Sequence, residues 1–214
     1  MTGDPIIRPM GSKEQVLAAV RGAIKDAVAP QVPRTYTSNL GLDRAGLVEL
    51  FAERVGDYRA EVQVIDRAEL SRVIGKVLAD RRIRSAVVPD DLDPGWLTTV
   101  TSRVVRDAPY LTPKDLDQID GVITGSAVGI ALTGTIVLDG GPLQGRRAIT
   151  LIPDTHLCVV AADDIVGTVP EAVSRLDAGR PLTWISGPSA TSDIELDRVE
   201  GVHGPRNLVV LITT

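Results

Sequence analysis

From Tyr58 onward short apolar runs alternate with segments of helical periodicity, and that alternation confines the chain to an α/β fold. Arg59–Ile65, Ala86–Pro89, Arg103–Val105 and Gly121–Thr124 read as strands. Ala68–Asp80 reads as a helix, and so does Thr112–Gln118, where Thr112 caps and Pro113 takes the first helical position. Further strands are expected at Gly134–Leu138, Ala148–Ile152, Leu157–Ala161, Leu182–Ser186 and Leu208–Thr213, with a helix over Pro170–Leu176. Strands joined through helices predict a mostly parallel sheet flanked by helices. The centre, Ile119–Ala161, is richer in strand and has room for hairpins.

Residues 1–11 lack periodicity and are expected to be disordered. Ser12 reads as the N-cap of a helix ending near Val28, stopped by Pro30 and Pro33. Ala29–Gly41 is an extended linker, and a second helix, Asp43–Val55, buries Leu47, Leu50 and Phe51. The expected division is a disordered start, helix and linker over 1–41 and an α/β domain over 42–214. The N-terminal helical arm packs either on its own domain or on another subunit.

Composition removes several function classes. Aromatic residues are 3% of the chain, so Val, Ile, Leu and Ala must build the core. A net charge of −5 argues against nucleic acid, whose phosphates need clustered Lys and Arg. The single Cys158 forms no internal disulfide, and one thiol holds no iron–sulfur cluster, which takes about four. Two histidines and one cysteine far apart make a structural metal site unexpected. No apolar run approaches the roughly 18–20 residues that span a bilayer, and the N-terminus lacks a basic segment followed by an apolar one. A cytoplasmic protein without membrane insertion is expected.

Chemistry concentrates in Ser186–Pro205, twenty residues between two Gly-Pro turns. Ser186 and Gly187 end a strand, and Ser189, Thr191 and Ser192 lead into Asp193-Ile194-Glu195. A strand, a glycine turn and a capped helix would point backbone N–H groups at an anion. The competing reading is plain capping, with Asp193 and Glu195 complementing the helix dipole. His203 sits between glycines on a turn, where imidazole suits proton transfer or anion binding near neutrality, or simply fixes the turn. Asp193 and Glu195 could pair with it. A second cluster, Thr124-Gly125 and Thr133-Gly134-Thr135, flanks small residues that let a ligand approach the backbone; a purely structural turn is the alternative. Both clusters are expected to converge at the carboxyl ends of the parallel strands. Lesser candidates are Asp139, the Arg146–Arg147 pair and His156, with Cys158 a buried, inert thiol.

Three segments carry a resemblance: GVITGSAVGIALTGTIVLDGGPLQGRR at Gly121–Arg147, IPDTH at Ile152–His156, and ISGPSATSDIELDRVEGVHGPRNLVVLI at Ile185–Ile212. With their spacing they resemble the LUD-domain family, in its lactate-utilization branch. Ala127-Val128-Gly129 departs from it, since the family more often has acidic or polar residues there. The resemblance implies a fold similar to that of ribose-phosphate isomerase, glucosamine-phosphate deaminase and CoA-transferases. It also implies a role in bacterial oxidation of L-lactate to pyruvate beside iron–sulfur partner proteins; a subunit of that system would bind a small anionic metabolite or a partner surface, without redox chemistry of its own. The cofactor is unknown and a homo-oligomer stays open. The alternative it implies is a stand-alone isomerase or acyl/CoA-transferase-like enzyme, with Glu195 as nucleophile. A third reading is a structural assembly factor.

Overall fold

The computed structural model describes residues 11–188, 190–191, 199–200 and 204–214. Two units divide the chain, Met1–Tyr36 and Thr37–Thr214. The first holds α1 (Ser12–Ala23). Its cap is Gly11, not Ser12, because the Gly11 carbonyl accepts the Gln15 amide and draws Ser12 into the first turn. It closes at Ala23 rather than near Val28, after the helix-weak Gly22. The expected disorder over residues 1–11 lies, apart from Gly11, outside the described residues.

The second unit opens with α2 (Arg44–Asp57), where the Asp43 carboxylate accepts the Gly46 amide at 2.8 Å. There follow β1 (Glu61–Ile65), α3 (Leu70–Asp80), β2 (Ser85–Val88), β3 (Arg103–Arg106), α4 (Pro113–Leu116) and β4 (Gly121–Thr124). Next come β5 (Val128–Ile130), β6 (Thr135–Leu138), β7 (Thr155–Ala161), β8 (Ile165–Val166) and α5 (Val169–Arg175). The chain ends with β9 (Thr183–Ile185), β10 (Ala190–Thr191), β11 (Val199–Glu200) and β12 (Asn207–Thr213).

Six strands form a fully parallel sheet in the order β1-β12-β7-β4-β2-β3. The last strand in sequence, β12, enters between β1 and β7, which pair both its edges, while α3 covers one of its faces and α2 with β6 the other. That is why Leu208–Ile212 is an unbroken apolar run rather than an alternating one. Its side chains divide by parity. Val209 and Leu211, with Leu157 and Val159 of β7, pack under Val73, Ile74, Val77 and Leu78 of α3. Leu208, Val210 and Ile212, with Cys158 and Val160, pack on the other side against Val48, Phe51 and Val55 of α2 and Ile136 and Leu138 of β6. The second sheet, ordered β8-β5-β6-β9, thus covers the α2 face of the first. A short antiparallel pair, β10-β11, lies within the segment that returns to β12. No helix among the described residues is long and apolar enough to cross a membrane.

Ala148–Ile152, expected as a strand, is a run of turns. The amides of Ile149, Thr150 and Leu151 bond to the carbonyls of Arg146, Arg147 and Ala148, three residues back. Strands β5 and β8 have three and two residues, too short to leave a periodic signal. Thr112 caps α4 as expected, accepting the Asp115 amide, but the helix stops at Leu116 rather than near Gln118.

Candidate functional site

The loop between β6 and β7 carries two adjacent arginines whose surroundings separate their roles. Arg146 is bound to Asp107 through both ends of its fork, Nε to Oδ2 at 2.6 Å and Nη2 to Oδ1 at 2.9 Å. Nη2 also donates to the Leu111 carbonyl at 2.6 Å, and the guanidinium stacks 4.9 Å from the Tyr110 ring centre. Burial by itself would raise the Asp107 carboxyl, but hydrogen bonds from Arg146 and the Leu111 amide outweigh it and hold the carboxyl below its usual range. Arg146 is therefore committed to tying the loop to the end of β3. Removing it leaves a carboxylate of 4% exposure without its charge partner. Arg146→Ala should cost about 3 kcal/mol of stability in urea denaturation. A loss below about 1 kcal/mol, the scale of an exposed pair, would show that solvent replaces the arginine there.

Arg147 points elsewhere. Its Nη1 donates to the Thr150 carbonyl at 2.9 Å and to Thr150 Oγ1 at 3.1 Å, and the Thr150 hydroxyl donates back to the Arg147 carbonyl. Among the described residues no carboxylate pairs with it. Partial loss of hydration pulls its pKa down from the usual arginine value, though a guanidinium stays charged. Arg147, Thr150 and Thr183 line two cavities at once. The larger, of 710 Å³, lies at the carboxyl ends of β2 and β3, against Pro89, Asp107 and Tyr110. The smaller, of 230 Å³, is bounded by His156, Ile185, Ser186, Leu208 and the pairs Gly187-Pro188 and Gly204-Pro205.

His156 is the second residue of β7 and 1% exposed. Its Nε2 lies 2.8 Å from Thr124 Oγ1. Thr124 in turn sits 4.0 Å from Cys158 Sγ, which donates to the Gly125 carbonyl. Burial, helped by the charge of Arg147, lowers the His156 pKa to about 3, so the imidazole is neutral at physiological pH. Burial pushes the Cys158 thiol up to about 12 against the opposing hydrogen bond from Thr124, leaving it a protonated, unreactive group.

The expected site residues fall into separate groups. Thr133, Thr135 and Ser186 form a hydroxyl chain, with Thr133 Oγ1 2.8 Å from Thr135 Oγ1 and that atom 2.9 Å from Ser186 Oγ. The two clusters thus touch, as expected, but not at the carboxyl ends of the parallel strands. The segment from Ser186 re-enters the main sheet at Gly204-Pro205, the amino end of β12, and the smaller cavity also takes its histidine from the amino end of β7. Thr124 reaches that region only because its side chain turns onto the same face as His156. Gly125 stands apart, its amide donating to the Leu143 carbonyl at 2.7 Å, and lines a third cavity with Ser126.

Gly134 (φ +59°) and Gly187 (φ +85°) have left-handed backbone that favours glycine. An added Cβ would lie 2.6 Å from the Arg54 carbonyl carbon at Gly134 and 2.5 Å from Tyr58 Cβ at Gly187. Both glycines are thereby accounted for by packing against the end of α2 and the residue after it. Asp139 accepts hydrogen bonds from the Gly141 amide and Gln144 and pairs with Arg180. Thr191 lies in β10, opposite Val199, where the sequence suggested the approach to a capped helix. Ser189, Asp193, Glu195 and His203 lie outside the described residues.

Sequence reasoning ranked His156 and the Arg146–Arg147 pair only as lesser candidates, gave Arg147 no precedence over Arg146, and missed Thr150. Alternation along HLCVVAA does carry one signal, since it sets His156 and Cys158 on the same face of β7.

Comparison with known proteins adds three findings. A family model described as the LUD domain matches residues 48–213. The chain is 46% identical over 205 residues to "Lactate utilization protein C" of Deinococcus radiodurans, covering 94% of this chain and 95% of that protein. It is 35% identical over 190 residues to "Lactate utilization protein C 1" of Bacillus mycoides, covering 80% and 81% of the two. Among solved structures it is similar to a DUF162 family protein from Deinococcus radiodurans, with a TM-score of 0.71, 45% identity, and coverage of 81% of this chain and 99% of that one.

Proposed function

This chain belongs to the LUD domain family, and we propose that it is a lactate utilization protein. It acts beside iron–sulfur partner proteins in the oxidation of L-lactate to pyruvate, and binds a small anionic metabolite without a redox centre of its own. The observation that carries this reading is the nearly end-to-end match to the Deinococcus radiodurans protein named for lactate utilization. The chemistry of the smaller cavity supports it. A guanidinium with no carboxylate partner among the described residues, beside a neutral imidazole, suits a ligand bearing one negative charge.

Complementation tests the reading. A bacterium that grows on L-lactate is deleted for its own lactate utilization protein C and given this chain. Growth on L-lactate should return, with growth on glucose unchanged throughout. If the folded chain accumulates and growth on L-lactate does not return, the reading fails.

A further inference from the structure

We propose that the 230 Å³ cavity is a binding site for a short monocarboxylate carrying a second oxygen near the carboxyl group, with Arg147 as the residue that takes the carboxylate. The proposal rests on the functional reading above and adds the place and the chemical class of the ligand.

Four observations lead to it. The first is the division of labour between the two arginines. Asp107 occupies the whole fork of Arg146, while among the described residues Arg147 is held only by Thr150, through Nη1. That tether fixes the direction of the guanidinium and leaves no carboxylate on it among the described residues. A planar fork held in place is matched in geometry to a carboxylate, which it binds through two parallel hydrogen bonds.

The second is charge. Among the described residues, Arg147 is the single cation lining this cavity and no acidic side chain lines it. One positive charge balances one negative charge. A phosphate dianion would enter with a charge that nothing described compensates, and burying such a charge is costly.

The third is size. At 230 Å³ it has room for a three- or four-carbon acid.

The fourth is the character of the walls. Ile185 and Leu208 offer an apolar side to a short alkyl group, and His156 and Ser186 add polar groups for an oxygen other than the carboxylate. A neutral imidazole lets an uncharged hydroxyl or keto oxygen approach without demanding a second anion.

The experiment uses the full chain. It contains two histidines, so its ring ¹⁵N spectrum is simple, and His156→Gln assigns the signals. L-lactate, pyruvate and inorganic phosphate are titrated separately, with dissociation constants read by calorimetry. L-lactate or pyruvate should shift the His156 ring signals, and phosphate should bind at least tenfold more weakly. Arg147→Gln should raise the dissociation constant at least tenfold. Arg147→Lys, which keeps the charge and loses the fork, should fall between. Lys114→Gln, a cation outside the cavity, should leave the constant unchanged.

Equal binding by Arg147→Gln and the parent chain overturns the proposal. So does phosphate binding as tight as carboxylate binding, or an equal loss in Lys114→Gln. If Arg147→Gln does not fold, the parent chain decides, and unmoved His156 signals at saturating carboxylate overturn the site. Growth restored on L-lactate by a chain that binds no carboxylate overturns this site and leaves the functional reading standing. Binding at Arg147 in a chain that restores no growth keeps the site and overturns the reading.

Discussion

Between pH 6.5 and pH 5 the protein should lose about 2 kcal/mol of folding stability through one side chain, His156. The sign follows from where the proton is bound. In the folded chain the imidazole is buried and neutral, with a pKa of about 3, while in the unfolded chain it takes up a proton near 6.5. The stability is complete above 6.5 and is lost at about 1.4 kcal/mol per pH unit as the pH falls toward 3. Below that both states are protonated and the loss stops growing. Carboxyls held low in the fold, such as Glu61 through its hydrogen bond from Arg81, contribute only under their own usual value of 4.5. The upper part of the window therefore belongs to the histidine. Urea denaturation at pH 7, 6 and 5 reads the slope. His156→Gln, which keeps a polar group beside Thr124, should start lower and show a flatter dependence. Parallel slopes for the two proteins would mean that His156 is not the group responsible.

Phe51→Ala should cost about 3–5 kcal/mol, a fifth or more of the roughly 5–15 kcal/mol that holds a typical domain together. Phe51 is the only phenylalanine, and it is fully buried. It packs where α2 meets both sheets, in the cluster containing Val160, Ile136 and Ile165. Its ring also lies against bare backbone, since a Cβ added to Gly129 would come within 3.1 Å of Phe51 Cζ. Nothing small can refill that space, because the surrounding atoms belong to four different strands. Phe51→Leu, which keeps most of the volume, should cost less than about 1.5 kcal/mol. Equal losses for the two variants would show that the ring's shape, not its volume, matters at this junction.

The smaller cavity explains why these two predictions bear on function. The face of the main sheet that buries Phe51 also carries His156 and Thr124. The same covering sheet that completes the core supplies Ile185 and Ser186 to the cavity wall. A ligand there would sit at the edge of the core, not on a loop detached from it.

Local pattern was enough for much of this molecule. The apolar runs that became β2, β4, β7 and β12 were visible because a strand covered on both faces is apolar on both, with few polar exceptions. Thr112-Pro113 announced a helix start through capping chemistry confined to four residues. Thr133 and Thr135 in one group, and Ser186 in another, stood out because they flank glycine turns; that the three hydroxyls form one chain is a tertiary contact. What no local pattern contained was pairing over distance. The order β1-β12-β7-β4-β2-β3 joins strands up to about 150 residues apart, and it sets Gly204-Pro205 at the amino end of β12. Neighbouring arginines look alike until Asp107, 39 residues away, occupies one of them and leaves the other to face the cavities. His156 reads as an edge residue until a second sheet closes over it and removes water. Burial and charge partnership come from which surfaces meet, and only the tertiary structure decides that.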